Sequence, residues 1–332
     1  MSSTSRRRAL RAVSGLTVCA FALVGCGTSG DNTPATSGSS GSSGTKLQKT
    51  IVFSPLSLQP PALKGLADAL TGYSKSKGWK AIVQDPNFDP AKQNQQVNEV
   101  LSSGKAGAVW VIAVAPKSMG ETIKAAQKKG VPILVNGKPA EYGYDGAQPG
   151  VSFSYIDYTA AGKALGEQLG KCLTEKNGGK GDVLFNESSA GQAGKAEFEA
   201  AAKGALATAA PGAKIVQELE VKDRQSGQTD IGNALQGHPN LVGVMSSTDE
   251  GALGALGAFS SAPKAKLLCN VDFGGNDEVL ADVKKGTIYS SVALQFAADM
   301  AQSFDTLVKM QSDPKAAGQV LVTPQKVIGS AG

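Results

Sequence analysis

Several residue groups have types and spacings that could do chemistry, and each falls short of a reaction centre. Gly191-Gln192-Ala193-Gly194-Lys195 ends like a phosphate-binding loop, but it lacks the first glycine at the required distance and the following Ser or Thr. Asp85-x-Asn87-x-Asp89 opens like a calcium loop, yet Pro90 stands where that loop needs glycine and Gln96 where it needs a bidentate Glu. The glycines at 251, 254 and 257 have the wrong spacing for a dinucleotide fingerprint and lie within a helix, where small residues allow close packing. His238, the one histidine in the chain, precedes Pro239 at a helix end, a capping position rather than that of a catalytic base. No Ser-His-Asp spacing and no His/Cys cluster occurs, so neither a metal nor a cofactor is expected. A paired-carboxylate hydrolase is the one enzymatic reading left open.

The elements that must position any site begin after an unusual amino terminus. Arg6, Arg7, Arg8 and Arg11 form a basic stretch, and Ala12 to Gly25 follows without a charge. That run is too short to span a bilayer and ends in Leu23-Val24-Gly25-Cys26, which resembles a bacterial lipobox. Residues 1–25 are therefore expected to be a lipoprotein signal peptide, with Cys26 lipidated. The basic run also fits a twin-arginine signal, apart from Ala9 where that pattern prefers Phe, so both export routes stay open. Residues 26–45 are rich in Gly, Ser and Thr and read as a flexible tether. The formal charge of +5 comes mostly from the signal arginines. The remainder is nearly neutral, which gives no electrostatic footprint for nucleic acid. Beyond the signal and Cys26, two cysteines remain, Cys172 and Cys269. Outside the cytoplasm they are either a disulfide or two buried thiols.

From Lys46 onward, β-rich apolar runs alternate with helical stretches. Strands are expected at 51–53, 81–83, 108–114 and 131–135, then at 182–185, 214–218, 241–245, 266–271 and 288–293. Helices are expected between them, including Pro90 to Ser102 with Asp89 as its cap. Continuous apolar strands alternating with helices imply parallel sheets covered on both faces. Two such halves imply an α/β chain of two doubly wound lobes, with ligands bound beyond the carboxyl ends of the strands.

Four segments then carry a family resemblance: Asp89-Pro90-Ala91-Lys92-Gln93, Lys129-Gly130-Val131-Pro132-Ile133, Thr248 through Leu256 (TDEGALGAL), and Asn270-Val271-Asp272-Phe273. In this order the chain resembles a type I periplasmic binding protein, closest to ribose-binding and related sugar receptors of ABC transporters. The resemblance implies three crossings between lobes that act as a hinge. It puts 46–155 plus 296–311 in the first lobe and 156–295 plus 312–332 in the second.

The same resemblance supplies candidate ligand contacts. Asp272 matches the family's cleft Asp, with a strand-end or capping role as the alternative. Thr248 stands where the family has Asn, and Asp249 is read as the cap of its helix. Gln295 lies beside the hinge Gln position, which a gapless count gives to Leu294. Asn136 and Lys138 occupy an Asp-Arg pair, and Lys195 lies near a cleft Arg. Gln59 belongs to the first loop, 54–62, where the family usually supplies a stacking ring and this chain has none. Lys222 replaces the second-lobe Phe. Replacement rings are Phe88, Tyr142, Tyr144, Phe273 or Phe296, the two tyrosines reading more readily as loop rings packed on their own lobe. Arg224 is the one arginine beyond the signal, so bidentate guanidinium contacts are nearly unavailable.

These residues together imply a monomeric, lipid-anchored receptor that binds a small sugar-like solute and delivers it to an ABC permease. A sensor lipoprotein that presents the same ligand to a membrane receptor or histidine kinase is the alternative. A transcription regulator is excluded by the export signal and by the lack of an amino-terminal helix-turn-helix.

Overall fold

The computed structural model describes residues 48–190, 192–313 and 316–329, apart from the side chain of Pro61. Cys26, the signal and the tether lie outside the described residues. The first lobe starts with strand β1 (Thr50–Ser54), helix α1 (Pro61–Ser76), β2 (Lys80–Val83), α2 (Pro90–Ser102), β3 (Ala108–Val111), α3 (Gly120–Lys128), β4 (Ile133–Asn136) and β5 (Val151–Tyr155). The second lobe follows with α4 (Tyr158–Asn177), β6 (Lys180–Glu187), α5 (Lys195–Ala209), β7 (Gly212–Glu220), α6 (Arg224–Gly237), β8 (Leu241–Ser246), α7 (Asp249–Ser260), β9 (Cys269–Gly274), α8 (Asp277–Lys285) and β10 (Ser290–Leu294). The chain then returns through α9 (Phe296–Ser312), β11 (Val320–Val322) and β12 (Gln325–Gly329).

The strands make two six-stranded sheets, ordered β11-β5-β4-β3-β1-β2 and β12-β10-β9-β8-β6-β7. All pairings are parallel except β10 with β12. Local chemistry explains where the helices start. The Asp89 side chain accepts from the N–H groups of Ala91 and Lys92 ahead of Pro90, as expected for α2. Glycine lets helices touch in the second lobe. A Cβ on Gly162 or Gly166 would lie 2.1 Å from the Phe198 or Ala202 carbonyl of α5. One on Gly254 or Gly257 would lie within 3.0 Å of α6 atoms, which accords with the packing role expected of the 251–257 glycines.

Three elements depart from the sequence reading. β5 was not expected, because Ser152 and Ser154 interrupt its apolar run. Both are fully buried, where Ser152 Oγ donates to Met310 Sδ and Ser154 Oγ to Asp299 Oδ1 of α9. β11 and β12 were also unexpected. β11 extends the first sheet beside β5, so the tail that was assigned to the second lobe from residue 312 stays with the first lobe through Val322. Only β12 rejoins the second sheet.

Cys172 of α4 and Cys269 of β9 are joined by a disulfide across 97 residues. No described helix is long and apolar enough to cross a membrane.

Candidate functional site

In parallel α/β sheets the loops beyond the strand carboxyl ends gather the polar groups that bind ligands. In the first lobe these loops are stitched together by one buried amide. Gln93 is 0% exposed. Its Nε2 donates to the carbonyls of Pro55 (3.1 Å) and Ile112 (3.0 Å), and its Oε1 accepts from the Val114 N–H (2.9 Å). Gln93 belongs to the Asp89–Gln93 motif, and nothing in the sequence announces this clamping role. A second stitch joins the loop after β1 to the loop after β2. Asp85 Oδ1 accepts from the N–H groups of Leu58 and Asn87, and Gln59 Nε2 donates to Asn87 Oδ1. Gln59 is thus held at this edge, beside an exposed Phe88.

The other first-lobe candidates divide. Asn136 ends β4, and its Oδ1 accepts from the Trp110 indole N–H at 2.6 Å, which fixes the amide against the core. Lys138 is exposed, with Nζ 5.8 Å from the Tyr155 ring centre at the first crossing. Tyr142 departs from its candidate ligand role. It is 8% exposed, packs on Phe153 and donates its hydroxyl to the Asn136 carbonyl, so its ring belongs to the first-lobe core. Burial holds its phenol well above the ordinary range.

Side chains on neighbouring strands build the second-lobe edge. The register aligns Asn186 with Ser246, Ser246 with Asp272, and Asp272 with Ser291. All four are fully buried. Asn186 Nδ2 donates to Ser246 Oγ (2.9 Å), and Ser291 Oγ donates to Asp272 Oδ2 (2.7 Å). Asp272 Oδ1 and Asn186 Oδ1 find no donor among the described residues, and the Asp249 carboxyl lies close enough to Asp272 to share a proton with it. Burial pushes the Asp272 carboxyl well above the usual carboxylate range; the neighbouring Asp249 adds to this and the Ser291 hydroxyl opposes it. Asp249 is raised too, by burial, against the pull of the Asn276 and Gly275 N–H groups. The pair therefore favours holding a proton.

Thr248, not Asp249, caps α7, its Oγ1 accepting from the Gly251 N–H. Asp249 instead reaches across to the β9–α8 loop and accepts from Gly275 N–H (2.8 Å) and Asn276 N–H (3.0 Å). Lys195 is not free for a ligand. Its Nζ donates to Glu187, to the Ser188 carbonyl and to Glu199. Burial opposes its charge, but the bonds to Glu199 and Glu187 outweigh that and raise its pKa.

Three crossings join the lobes, and backbone bonds tie them together. Thr323 N–H donates to the Tyr155 carbonyl (2.8 Å) and Gln295 N–H to that of Pro324 (2.9 Å). The Gln325 amide donates to the Asp157 carbonyl. Gln295 is thus a hinge residue through its backbone, while its side chain turns back to the Ala293 carbonyl. A groove of about 890 Å³ lies elsewhere, between α6 and the end of α7. Lys264 is its one charged lining residue, and none of the candidate contacts borders it.

Comparison with known proteins agrees with this architecture. The profile of the periplasmic binding protein domain matches residues 51–315. The ribose import binding protein of Bacillus subtilis is 28% identical over 264 residues, covering 76% of this chain and 78% of that protein. The xylitol-binding protein of Mycolicibacterium smegmatis is 24% identical over 74% of this chain and 70% of that protein. Among solved structures, an ABC transporter periplasmic solute binding protein from Actinobacillus succinogenes with bound D-allose superposes with a TM-score of 0.71. It is 20% identical, over 85% of this chain and 98% of that one. The Caulobacter myo-inositol binding protein superposes with a TM-score of 0.66 at 20% identity, over 85% and 94% of the two chains. The two-lobed α/β fold expected from the sequence is the fold of these structures, and with a family profile over most of its length the chain belongs to the periplasmic binding protein family, as a binding protein rather than an enzyme.

Proposed function

We propose that this protein captures a small, uncharged, polyhydroxylated solute, a sugar or polyol, between its lobes and delivers it to an ABC permease. It does so as a monomer held to the outer face of the cytoplasmic membrane through lipidated Cys26. The observation that carries the reading is the fully buried Asp272 at the strand ends, with one carboxyl oxygen accepting from Ser291 and no donor on the other, beside the Asp249 carboxyl with which it shares a proton. Two buried carboxyls side by side are costly, and ligand hydroxyls that donate to them are a fitting complement. Thr248 and Gln59 border the same edges, with Gln295 at the hinge. The relatives that bind ribose and xylitol by name support a sugar-like ligand. Arg224, the one arginine beyond the signal, is bound to Glu250 and Glu278, and Lys195 to its own carboxylates, which argues against an anionic ligand.

A ligand that binds the folded protein raises its melting temperature by mass action. Thermal melts of the purified protein with D-ribose, xylitol, D-allose, myo-inositol, nucleosides and amino acids test the reading. A shift with sugars or polyols is expected, and its loss in Asp272→Ala with the unliganded melt retained. A shift only with amino acids or nucleosides, or chemical alteration of the added compound, refutes it.

A further inference from the structure

Five aromatic rings were available to replace the ring missing from the loop after β1, and the structure removes three of them. Tyr142 and Tyr144 pack against Phe153 within the first lobe. Phe273 is 7% exposed, wedged against Phe198 and Tyr158. Phe88, 49% exposed, and Phe296, 53% exposed, remain in solvent.

Phe88 has a second peculiarity. Asp89 N–H donates to the Pro86 carbonyl, closing a turn whose central residues Asn87 and Phe88 both have positive φ, 56° and 61°. Turns of this hand favour Asn at the first of these positions and glycine at the second. Among the described residues, every other positive φ belongs to a glycine. A bulky side chain there is strained, and here it gains no burial in return. Local folding therefore does not explain why Phe occupies this position. The turn is clamped to the ringless loop after β1, since Phe88 N–H donates to the Leu56 carbonyl (2.9 Å) and the Gln59 amide holds Asn87. Phe88 thus lies half exposed at the carboxyl edge of the first sheet, beside the segment that lacks a ring.

We infer that Phe88 is the stacking platform of the ligand site, taking the place of the absent ring in the first loop, and that it favours cyclic sugars or cyclitols over acyclic polyols. This rests on the sugar or polyol reading above. A flat C–H face covers an aromatic ring, whereas an acyclic polyol must be ordered to do so. With Phe273 sequestered and Lys222 exposed on the second lobe, the stack is one-sided.

Titration calorimetry with D-ribose, myo-inositol and xylitol tests the inference on the wild type and on Phe88→Ala, Phe88→Trp, Phe88→Gly and Phe296→Ala. Expected is tighter wild-type binding of the better cyclic compound than of xylitol. Affinity for it should fall about ten-fold or more in Phe88→Ala, be largely restored in Phe88→Trp, and hold in Phe296→Ala. Phe88→Gly should lose affinity equally while its unliganded melt equals or exceeds that of the wild type, because glycine relieves the turn. Cyclic-compound affinity within two-fold of wild type in Phe88→Ala overturns the inference, as does a preference of the wild type for xylitol. So does a Phe88→Gly melt several degrees below wild type, which would make the ring a packing residue. A wild type whose melt no sugar or polyol shifts, D-allose included, instead sinks the sugar reading and the stacking role with it.

Discussion

The two cleft edges are built in different ways. The first lobe holds its edge with loops, and its polar groups are spent mainly on each other: Gln93 clamps the loops after β1 and β3, and Asp85 and Asn87 clamp those after β1 and β2, while the Oε1 atoms of Gln84 and Gln96 stay buried without a donor. The second lobe places polar side chains directly on neighbouring strands, buries them, and leaves oxygens of Asp272 and Asn186 without a donor. It also ties its core with the Cys172–Cys269 disulfide, and no disulfide is present among the described residues of the first lobe. A satisfied polar network stabilises the fold, whereas an unsatisfied one is tolerated where binding completes it. The contrast assigns mainly stability to the first edge and mainly recognition to the second, with Phe88 as the first lobe's exception.

The largest separation of the lobes should come from the disulfide. It closes 97 residues, and Cys172→Ala with Cys269→Ala should cost about 4 kcal/mol in denaturant unfolding. Hydrogen exchange should locate the loss in α4 to β10 and leave β1 to β4 protected as before. Uniform loss in both lobes would break the comparison.

Gln93→Ala is the matching change in the first lobe. It strips partners from the Pro55 and Ile112 carbonyls and the Val114 N–H, and about 3 kcal/mol of stability should go with them. Ligand affinity, measured on the remaining folded protein, should fall only through disorder of the β1 and β3 loops. A variant as stable as wild type would show that water replaces the amide without cost.

Asp272→Asn should behave in the opposite way. Because the folded carboxyl titrates well above its unfolded value, the native state holds a proton that the unfolded chain has released. Stability from this group is therefore full below the ordinary carboxylate range and declines as pH rises toward the folded pKa. The asparagine variant should lack that decline, so its stability relative to wild type improves with pH while ligand binding is lost. Melts across pH 4 to 8 check the slope. A wild type that gains stability over the lower part of that range, relative to the variant, would mean that Asp272 is ionised and paired.

How much of this was legible in the sequence follows from the range of the forces involved. Asp89 before Pro90 announced α2, because a cap and a proline act within one turn. The apolar runs announced nine strands, because burial on both faces leaves a continuous signature. β5 escaped, since its two serines are buried by partners in α9 about 150 residues away. Thr248 and Asp249 are both cap types, and only the fold decides that Thr248 caps while Asp249 reaches 26 residues onward to Gly275. The bond between Cys172 and Cys269 likewise depends on a distance that spacing does not encode. Of the candidate contacts, Asp272 lies fully buried on β9, and Tyr142 was claimed by its own lobe.

Lys195 gives the smallest expected effect and the finest test of the division between edges. It lies at the start of α5 on the second lobe, so recognition by that edge would make it a tempting cation for a ligand. Its ammonium is already shared among Glu187, Glu199 and a carbonyl. Glu199 is the most dependent of these, being buried, though it still accepts from the Ser188 N–H. Lys195→Met should therefore cost about 1 kcal/mol of stability, the scale of a partly screened ion pair. Affinity for whichever sugar or polyol shifts the wild-type melt should stay within about two-fold, because no donor of the site has been removed. A ten-fold loss of binding without loss of stability would place Lys195 on the ligand and would make the second edge a charged site rather than a neutral one.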